Sequence, residues 1–137
     1  MQKRRIAIVT GAARGIGKSI AEVLSAREFM PIIADIDGTR AQRVKESIVA
    51  NGGTASSAEL DVSNVEQIAR FVASVVAEHG TVDVLVNNAG ILSTTQIADL
   101  TEAEWDRTID INLKGAVFAS QQVIPHMIRQ NWGRIIN

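Results

Sequence analysis

The feature that most constrains this chain is a regular alternation of short apolar runs with longer amphipathic segments. Five short runs are predicted to be β-strands, at 5–10, 31–35, 54–60, 82–86 and 134–137, of which the third has the weakest apolar pattern. Between them lie four helical patterns, over about 15–27, 39–51, 65–79 and 101–130. Because the first strand is apolar at nearly every position, we expect it to be buried on both faces.

Alternation at this spacing predicts a parallel sheet, because parallel neighbours need a crossover that a helix usually supplies. Crossovers are right-handed, which makes helices on both faces of the sheet the default arrangement. We therefore predict an α/β fold with a doubly wound, Rossmann-like sheet of five strands in the order 3-2-1-4-5. A ligand is expected at the carboxyl ends of the strands, where the strand order reverses.

Local signals predict where the helices begin and which face they bury. Capping-box spacings at Thr39–Gln42 and Ser63–Glu66 place the first residue of each motif at a helix N-cap. Pro125 is expected to disturb one turn of the last helix because it lacks an N–H group, and a break is expected near Asp110–Asn112. In the first helix, the stripe expected to face the core is Ile16, Ile20, Val23 and Leu24.

Composition excludes several classes of function. The 137 residues are 46% apolar and 21% charged, which is typical of a soluble globular domain. The chain has a net charge of −1 and a pI of about 6.1, so it lacks the large positive potential of a nucleic-acid-binding protein. No apolar stretch approaches the roughly 18 residues of a membrane span. The chain has no cysteine, which is compatible with the cytoplasm. His79 and His126 have no neighbours at metal-ligand spacing, so no metal site is predicted.

A glycine-rich turn, Thr10–Gly17, lies between the first strand and the first helix. Its three glycines could supply a tight turn, a close approach to a pyrophosphate and close packing of helix on strand, while the helix N-terminus attracts phosphate. The spacing G-x-x-x-G-x-G does not fit a P-loop. An ordinary βα turn is the alternative. The residues predicted here to contact a cofactor are Gly11, Ala13, Arg14, Gly15, Ile16 and Gly17.

An acidic residue, Asp35, closes the second strand and is followed by Ile36. A carboxylate at this point can accept hydrogen bonds from a ribose diol and would repel a 2′-phosphate, which favours NAD over NADP. Arg14 favours NADP instead, because a guanidinium can pair with the 2′-phosphate. Alternatively, Asp35 and Asp37 could form a turn and cap the following helix. The cofactor-binding role and this structural role are compatible.

Four elements together resemble the short-chain dehydrogenase/reductase family. They are the turn Thr10–Gly17, the pair Asp61–Val62 after the third strand, the loop Asn87–Gly90 after the fourth, and Asn112. The resemblance covers the whole chain and is greatest to the 3-oxoacyl-(acyl-carrier-protein) reductase-like branch. It implies hydride transfer between NAD or NADP and a carbonyl or alcohol substrate, such as a 3-oxoacyl thioester, a sugar or a small ketone.

The resemblance also implies roles for single residues. Asp61 and Val62 would contact the adenine, and Asn88, Ala89 and Gly90 would border the cofactor. An amide side chain has donors and an acceptor, so Asn88 can tie neighbouring loops together. The alternative is a loop that is merely held by its asparagines.

Asn112 matches the Asn of the family's catalytic tetrad, whose backbone holds a water in a proton relay. The alternative for Asn112 is a polar residue that breaks a helix. The chain contains no Tyr. We therefore expect residues 1–137 to be the cofactor-binding portion of a single domain, truncated before the catalytic Ser, Tyr and Lys and inactive alone. A non-catalytic dinucleotide-binding fragment is the alternative. The resemblance further implies a homo-oligomer, a tetramer in the full-length protein.

Overall fold

Five parallel strands form one sheet in the order β3-β2-β1-β4-β5, in a computed structural model that describes residues 4–137. The strands are β1 (Ile6–Thr10), β2 (Met30–Asp35), β3 (Ser56–Glu59), β4 (Val84–Val86) and β5 (Arg134–Ile136). The predicted strands and their order are confirmed. The order reverses between β1 and β4, so the crevice that a doubly wound sheet offers to ligands lies beside these two strands.

The helices are α1 (Gly15–Ala26), α2 (Gly38–Ala50), α3 (Val65–His79), α4 (Glu102–Ile109) and α5 (Gly115–Arg129). A short 3₁₀ turn, Ile97–Asp99, precedes α4, and a π-helical turn, Asp110–Lys114, joins α4 to α5. The break expected near Asp110–Asn112 is therefore a widened turn of continuous helix. Within residues 4–137, no helix has the length and apolar character needed to cross a membrane.

The two faces of the sheet pack into two separate cores, as a doubly wound fold requires. All five residues of β1 are buried, and alternate side chains point to opposite faces. Ile6 and Ile8 pack with α3 and α5, whereas Ala7 and Val9 pack with α1 and α2. Burial on both faces explains why β1 is apolar throughout.

Two predicted helix caps are wrong by one or two residues. Asp37, not Thr39, caps α2, and its side chain accepts a hydrogen bond from the Arg40 N–H at 2.9 Å. Asn64, not Ser63, caps α3 in the same way. Asp and Asn compete well for this position because their side-chain oxygen reaches the N–H three residues on.

The predicted apolar stripe of α1 is half right, since Ile20 and Leu24 are half-buried and pack against the core. The helix buries Gly17, Ala21 and Ser25, whereas Ile16 and Val23 are 75% and 54% exposed. At Gly17, an added Cβ atom would lie 2.9 Å from the Ala12 Cα, so the start of α1 is too close to the glycine-rich turn for a larger side chain. The fully buried positions of α1 are all small residues, which hydrophobic periodicity does not single out.

Helix α5 continues through Pro125, and the disturbance expected there is confined to one missing hydrogen bond. Proline cannot donate to the carbonyl four residues earlier, which belongs to Gln121. Both Pro125 and Gln121 are exposed, so water can satisfy that carbonyl and the helix continues.

Candidate functional site

A cavity of about 420 Å³ opens at the carboxyl ends of the strands, at the switch point. Eleven of the fourteen predicted site residues line this cavity. They are Gly11, Arg14, Gly15, Ile16, Asp35, Ile36, Asp61, Val62, Asn88, Ala89 and Gly90. The other three, Ala13, Gly17 and Asn112, lie outside the lining, and each contacts a residue that belongs to it. The structure thus gathers one cluster from segments that are far apart in the sequence.

The glycine-rich turn is tight because its residues contact the loop after β4. A Cβ atom on Gly17 would lie 2.5 Å from the Asn88 amide nitrogen, and one on Gly11 would lie 2.8 Å from the Ala89 Cα. Gly11 and Gly15 also have positive φ angles, of 62° and 55°, which L side chains rarely adopt. No atom lies within 4 Å of a Cβ built on Gly15, so the backbone there is open to a ligand.

The N-terminus of α1 faces this turn without a side-chain cap. Arg14 occupies the N-cap position in an extended conformation, and its side chain makes no capping hydrogen bond. The first N–H groups of the helix therefore remain available, together with the positive end of the helix dipole. Such an arrangement favours an anion such as a phosphate group.

The Asp35 carboxylate is half-buried and bridges two segments. One oxygen accepts a hydrogen bond from the Ala13 N–H at 3.0 Å, and the other accepts one from the Asp37 N–H at 3.0 Å. A carboxylate has about four acceptor positions, so further hydrogen bonds to a ligand hydroxyl are possible. Asp35 therefore supports the turn and also faces the cavity.

Thr10 and Asn88 fasten the glycine-rich turn to the loop after β4. The Asn88 amide group donates to the carbonyls of Thr10 and Gly11, each at 3.0 Å. The buried Thr10 hydroxyl accepts hydrogen bonds from the N–H groups of Asn88 and Ala89, at 3.1 and 3.0 Å. The prediction that Asn88 ties neighbouring loops together is confirmed, although sequence reasoning did not select Thr10 as a site residue.

Asp61 and Val62 form the wall beside β3. One Asp61 oxygen accepts hydrogen bonds from the N–H and the hydroxyl of Ser63, at 2.9 and 2.6 Å. Gly115 lies against the Val62 carbonyl, since a Cβ on this glycine would be 2.8 Å from that oxygen. The start of α5 is thereby held close to the loop after β3.

Asn112 lies on the π-helical turn and holds the backbone of Ile91. Its side-chain oxygen accepts from the Ile91 N–H and its amide donates to the Ile91 carbonyl, both at 2.8 Å. Next to this pair, a Cβ on Gly90 would lie 3.3 Å from the Asn112 side-chain oxygen. The side chain is thus used to position the loop after β4, and the π turn supplies a local irregularity of the kind often found at functional sites.

Four residues of the cavity wall were not predicted from the sequence, namely Leu60, Ile91, Arg107 and Ile111. Three of them directly precede or follow a predicted site residue, so extending each motif by one position would have found them. Arg107 had no local signal. It lies one helical turn before Ile111, on a helix that only the tertiary fold brings to the cavity.

Comparison with known proteins gives the same family throughout. The family model described as short chain dehydrogenase matches residues 5–137. The 3-oxoacyl-[acyl-carrier-protein] reductase FabG of Staphylococcus epidermidis is 42% identical over 133 residues, covering 96% of this chain and 54% of that protein. Galactitol 2-dehydrogenase of Agrobacterium fabrum is 43% identical over 134 residues, covering 97% and 51% of the two chains.

A solved structure of a metagenomic short-chain oxidoreductase in complex with NADP superimposes with a TM-score of 0.93. Its sequence is 40% identical, and the match covers 97% of this chain and 61% of that one. The chain spans about half the length of the curated relatives that it matches. The predicted resemblance is confirmed, and the chain belongs to the short-chain dehydrogenase family.

Proposed function

We propose that this chain binds NAD(P) and belongs to an oxidoreductase that transfers hydride between the nicotinamide and a carbonyl or alcohol substrate. The observation that carries the proposal is the cavity at the switch point, where the uncapped N-terminus of α1 and the Asp35 carboxylate face the same space. A dinucleotide needs both an anion site for its pyrophosphate and an acceptor for its ribose hydroxyls.

The residues divide among the parts of such a cofactor. Gly15, Ile16 and Gly17 would offer N–H groups to the pyrophosphate, with Gly11 and Ala13 shaping the turn behind them. Asp35 and Ile36 would border the adenosine ribose. Asp61 and Val62 would lie against the adenine, while Asn88, Ala89 and Gly90 would border the other half. This division follows the strand order, because β3 lies next to β2 and β4 lies next to β1, on the two sides of the central pair of strands.

We propose NAD as the preferred cofactor, with NADP as the alternative. The Asp35 carboxylate would repel a 2′-phosphate at the ribose, which supports NAD. Arg14 lines the same cavity and favours NADP, and the metagenomic relative was solved with NADP. The charge nearest the ribose should dominate because electrostatic interactions weaken with distance and solvent screening.

The reaction needs groups that this chain does not contain. When bound, the nicotinamide supplies or accepts the hydride. The resemblance to short-chain dehydrogenases implies a Tyr as general acid, and no Tyr occurs in this sequence. We therefore propose that residues 1–137 are the cofactor-binding part of a longer single domain. Within it, Asn112 would serve through the backbone of the π turn, since its side chain is already bonded to Ile91.

The substrate, location and assembly are further proposals. Relatives named for a 3-oxoacyl-carrier substrate and for galactitol support a substrate that is a 3-oxoacyl thioester, a sugar or a small ketone. A cytoplasmic location would suit such an enzyme. The outer face of α5 exposes Val117, Ile124 and Ile128, which supports a homo-oligomer built on this helix.

Fluorescence titration of the purified chain with NADH and NADPH tests the proposed function. We expect saturable binding of NADH, tighter than that of NADPH, and no carbonyl reduction by residues 1–137 alone. Absence of binding by either nucleotide would contradict the proposal. Measurable turnover by this chain would contradict the assignment of catalysis to other residues, whereas binding without turnover in a longer protein would favour the non-catalytic alternative.

A further inference from the structure

Glu104 departs from the role that its sequence position predicts. The spacing Thr101-x-x-Glu104 is that of a capping box, in which the Glu side chain returns to the N-cap backbone. Half of the box is present, since the Thr101 hydroxyl accepts a hydrogen bond from the Glu104 N–H at 3.2 Å. The carboxylate, however, accepts hydrogen bonds from the hydroxyls of Ser93 and Thr95, the latter at 2.6 Å. Glu104 therefore holds the preceding loop.

The segment 91–96 depends on such polar contacts, because it has neither helix nor strand structure. Its first residue, Ile91, is held by Asn112 through two hydrogen bonds of 2.8 Å. Leu92 is 87% exposed, so burial of this side chain does not anchor the segment. Ser93 and Thr95 are joined by a hydrogen bond from the Thr95 N–H to the Ser93 hydroxyl at 3.2 Å, and both bind Glu104.

The position of this segment relates it to one half of the cavity. It follows Gly90 at the end of β4, and Ile91 lines the cavity wall. Asp35 ends β2, which lies on the other side of β1 from β4. If the adenosine ribose binds at Asp35 as proposed above, the nicotinamide half extends toward the end of β4 and toward this segment.

We propose that Glu104 is a positioning residue, whose carboxylate fixes segment 91–96 as a wall for the nicotinamide half of the cofactor. The inference rests on the proposed function and assigns Glu104 a role through Ser93 and Thr95 rather than through direct contact with the cofactor. The same hydrogen bonds, first from Ser93 and then from Thr95, lower the pKa of Glu104. The carboxylate is ionised at neutral pH, so both hydrogen bonds are charge-assisted.

Two ligands separate this role from a general effect on folding. NADH contains both halves of the cofactor, and ADP-ribose lacks the nicotinamide. We expect Glu104→Ala to weaken binding of NADH about three- to tenfold, because one wall of the nicotinamide site would no longer be ordered before binding. Binding of ADP-ribose should change less than about twofold. Glu104→Gln should recover part of the NADH affinity, because its amide oxygen can still accept hydrogen bonds.

Glu102→Ala is the matched control, since Glu102 is an exposed residue in the same first turn of α4. It should leave both affinities unchanged. Amide hydrogen exchange without ligand gives a second measurement, in which Glu104→Ala should expose segment 91–96 and leave β1 protected. If Glu104→Ala fails to fold, the double variant Ser93→Ala/Thr95→Val removes the same hydrogen bonds from the other side.

Each contrary outcome has a distinct meaning. Unchanged NADH affinity in Glu104→Ala, or unchanged exchange of segment 91–96, would overturn the positioning role. Equal weakening of NADH and ADP-ribose would also overturn it, in favour of a purely structural contact. Failure of the unsubstituted chain to bind either ligand would instead refute the proposed function, and this inference with it.

Discussion

The Asp35 carboxylate accepts a hydrogen bond from the Ala13 N–H at 3.0 Å, and so joins the end of β2 to the glycine-rich turn. Asp35, which would bind the ribose hydroxyls, thus also holds the turn that would bind the pyrophosphate. This contact makes the two halves of the proposed adenosine site a single unit. A substitution at Asp35 is therefore expected to affect both the charge at the ribose and the shape of the turn.

Asp35→Asn removes the negative charge and keeps one acceptor oxygen for the Ala13 N–H, while the bond from the Asp37 N–H is lost because an amide nitrogen cannot accept it. We expect the ratio of NADPH to NADH affinity to rise about tenfold, since repulsion of the 2′-phosphate is removed while Arg14 remains. Fluorescence titration with both nucleotides measures the ratio. Asp35→Ala should also weaken binding of both nucleotides, because the Ala13 N–H then loses its acceptor.

Asp37→Asn is the control for this experiment. Asp37 is close in sequence and caps α2, and Asn is an equally good capping residue. The affinity ratio should therefore stay at the value of the unsubstituted chain. A ratio that does not change in Asp35→Asn, or that changes equally in both variants, would show that Asp35 does not select the cofactor.

The topology and the site could be predicted from the sequence because both depend on local patterns. Apolar runs and helical periodicity gave the strands and their order, and the motifs after β1, β2, β3 and β4 necessarily meet at one edge of a parallel sheet. The part of the wall without a local signal could not be predicted. Arg107 reaches the cavity from a helix that only the tertiary fold brings there, and the Glu104 carboxylate bonds to a loop about ten residues earlier.

The packing of α1 is predicted only in part, for a related reason. Hydrophobic periodicity favours large apolar residues for the buried face, and Ile20 and Leu24 do pack there, but the close approach of helix and turn admits only glycine at position 17. The spacing of the glycines contained this information, since a Cβ on Gly17 would come within 2.9 Å of the Ala12 Cα. The motif was thus a better guide to packing here than the apolar pattern.

Gly17→Ala is expected to lower the free energy of unfolding by about 2 kcal/mol, because overpacking outweighs the better helix propensity of Ala. The added Cβ would lie 2.5 Å from both the Asn88 amide nitrogen and the Gly11 carbonyl oxygen, so the turn and the loop after β4 must separate. NADH affinity should fall at least about tenfold as the turn loses its shape. Urea denaturation and nucleotide titration measure the two effects.

Gly52→Ala provides a comparison in which strain occurs without crowding. Gly52 has a φ angle of 83°, and no atom lies within 4 Å of a Cβ built there. The cost should be about 1 kcal/mol of backbone strain. NADH affinity should be unchanged because Gly52 is remote from the cavity. An equal loss of affinity in both variants would indicate that global destabilisation, not the shape of the turn, governs binding.

Acid should release segment 91–96 before it unfolds the sheet. Hydrogen bonds from Ser93 and Thr95 lower the pKa of Glu104 below its ordinary value of 4.5. A carboxyl whose pKa is lower in the folded state stabilises that state above its ordinary pKa, and this contribution is lost as the pH falls through the folded pKa. Amide exchange of Thr95 followed from neutral pH to below 4.5 should show the release.

Glu104→Gln should abolish this pH dependence, because an amide does not titrate in the range. The titration of the Glu104 carboxyl, followed by NMR, should have its midpoint below 4.5. A midpoint at or above that value would mean that the two hydroxyls do not favour the ionised form.

Thr10→Val tests the connection between the glycine-rich turn and the loop after β4. The variant keeps the shape of Thr10, which is 2% exposed, but removes the oxygen that accepts from the N–H groups of Asn88 and Ala89. The Ala89 N–H then loses its acceptor, whereas the Asn88 N–H keeps the Val86 carbonyl at 3.1 Å, so we expect the free energy of unfolding to fall by about 1–3 kcal/mol. Thr10→Ser keeps the oxygen and loses only a methyl group, which should cost about 1 kcal/mol. Urea denaturation distinguishes the variants, and equal losses in both would show that Thr10 contributes through packing alone.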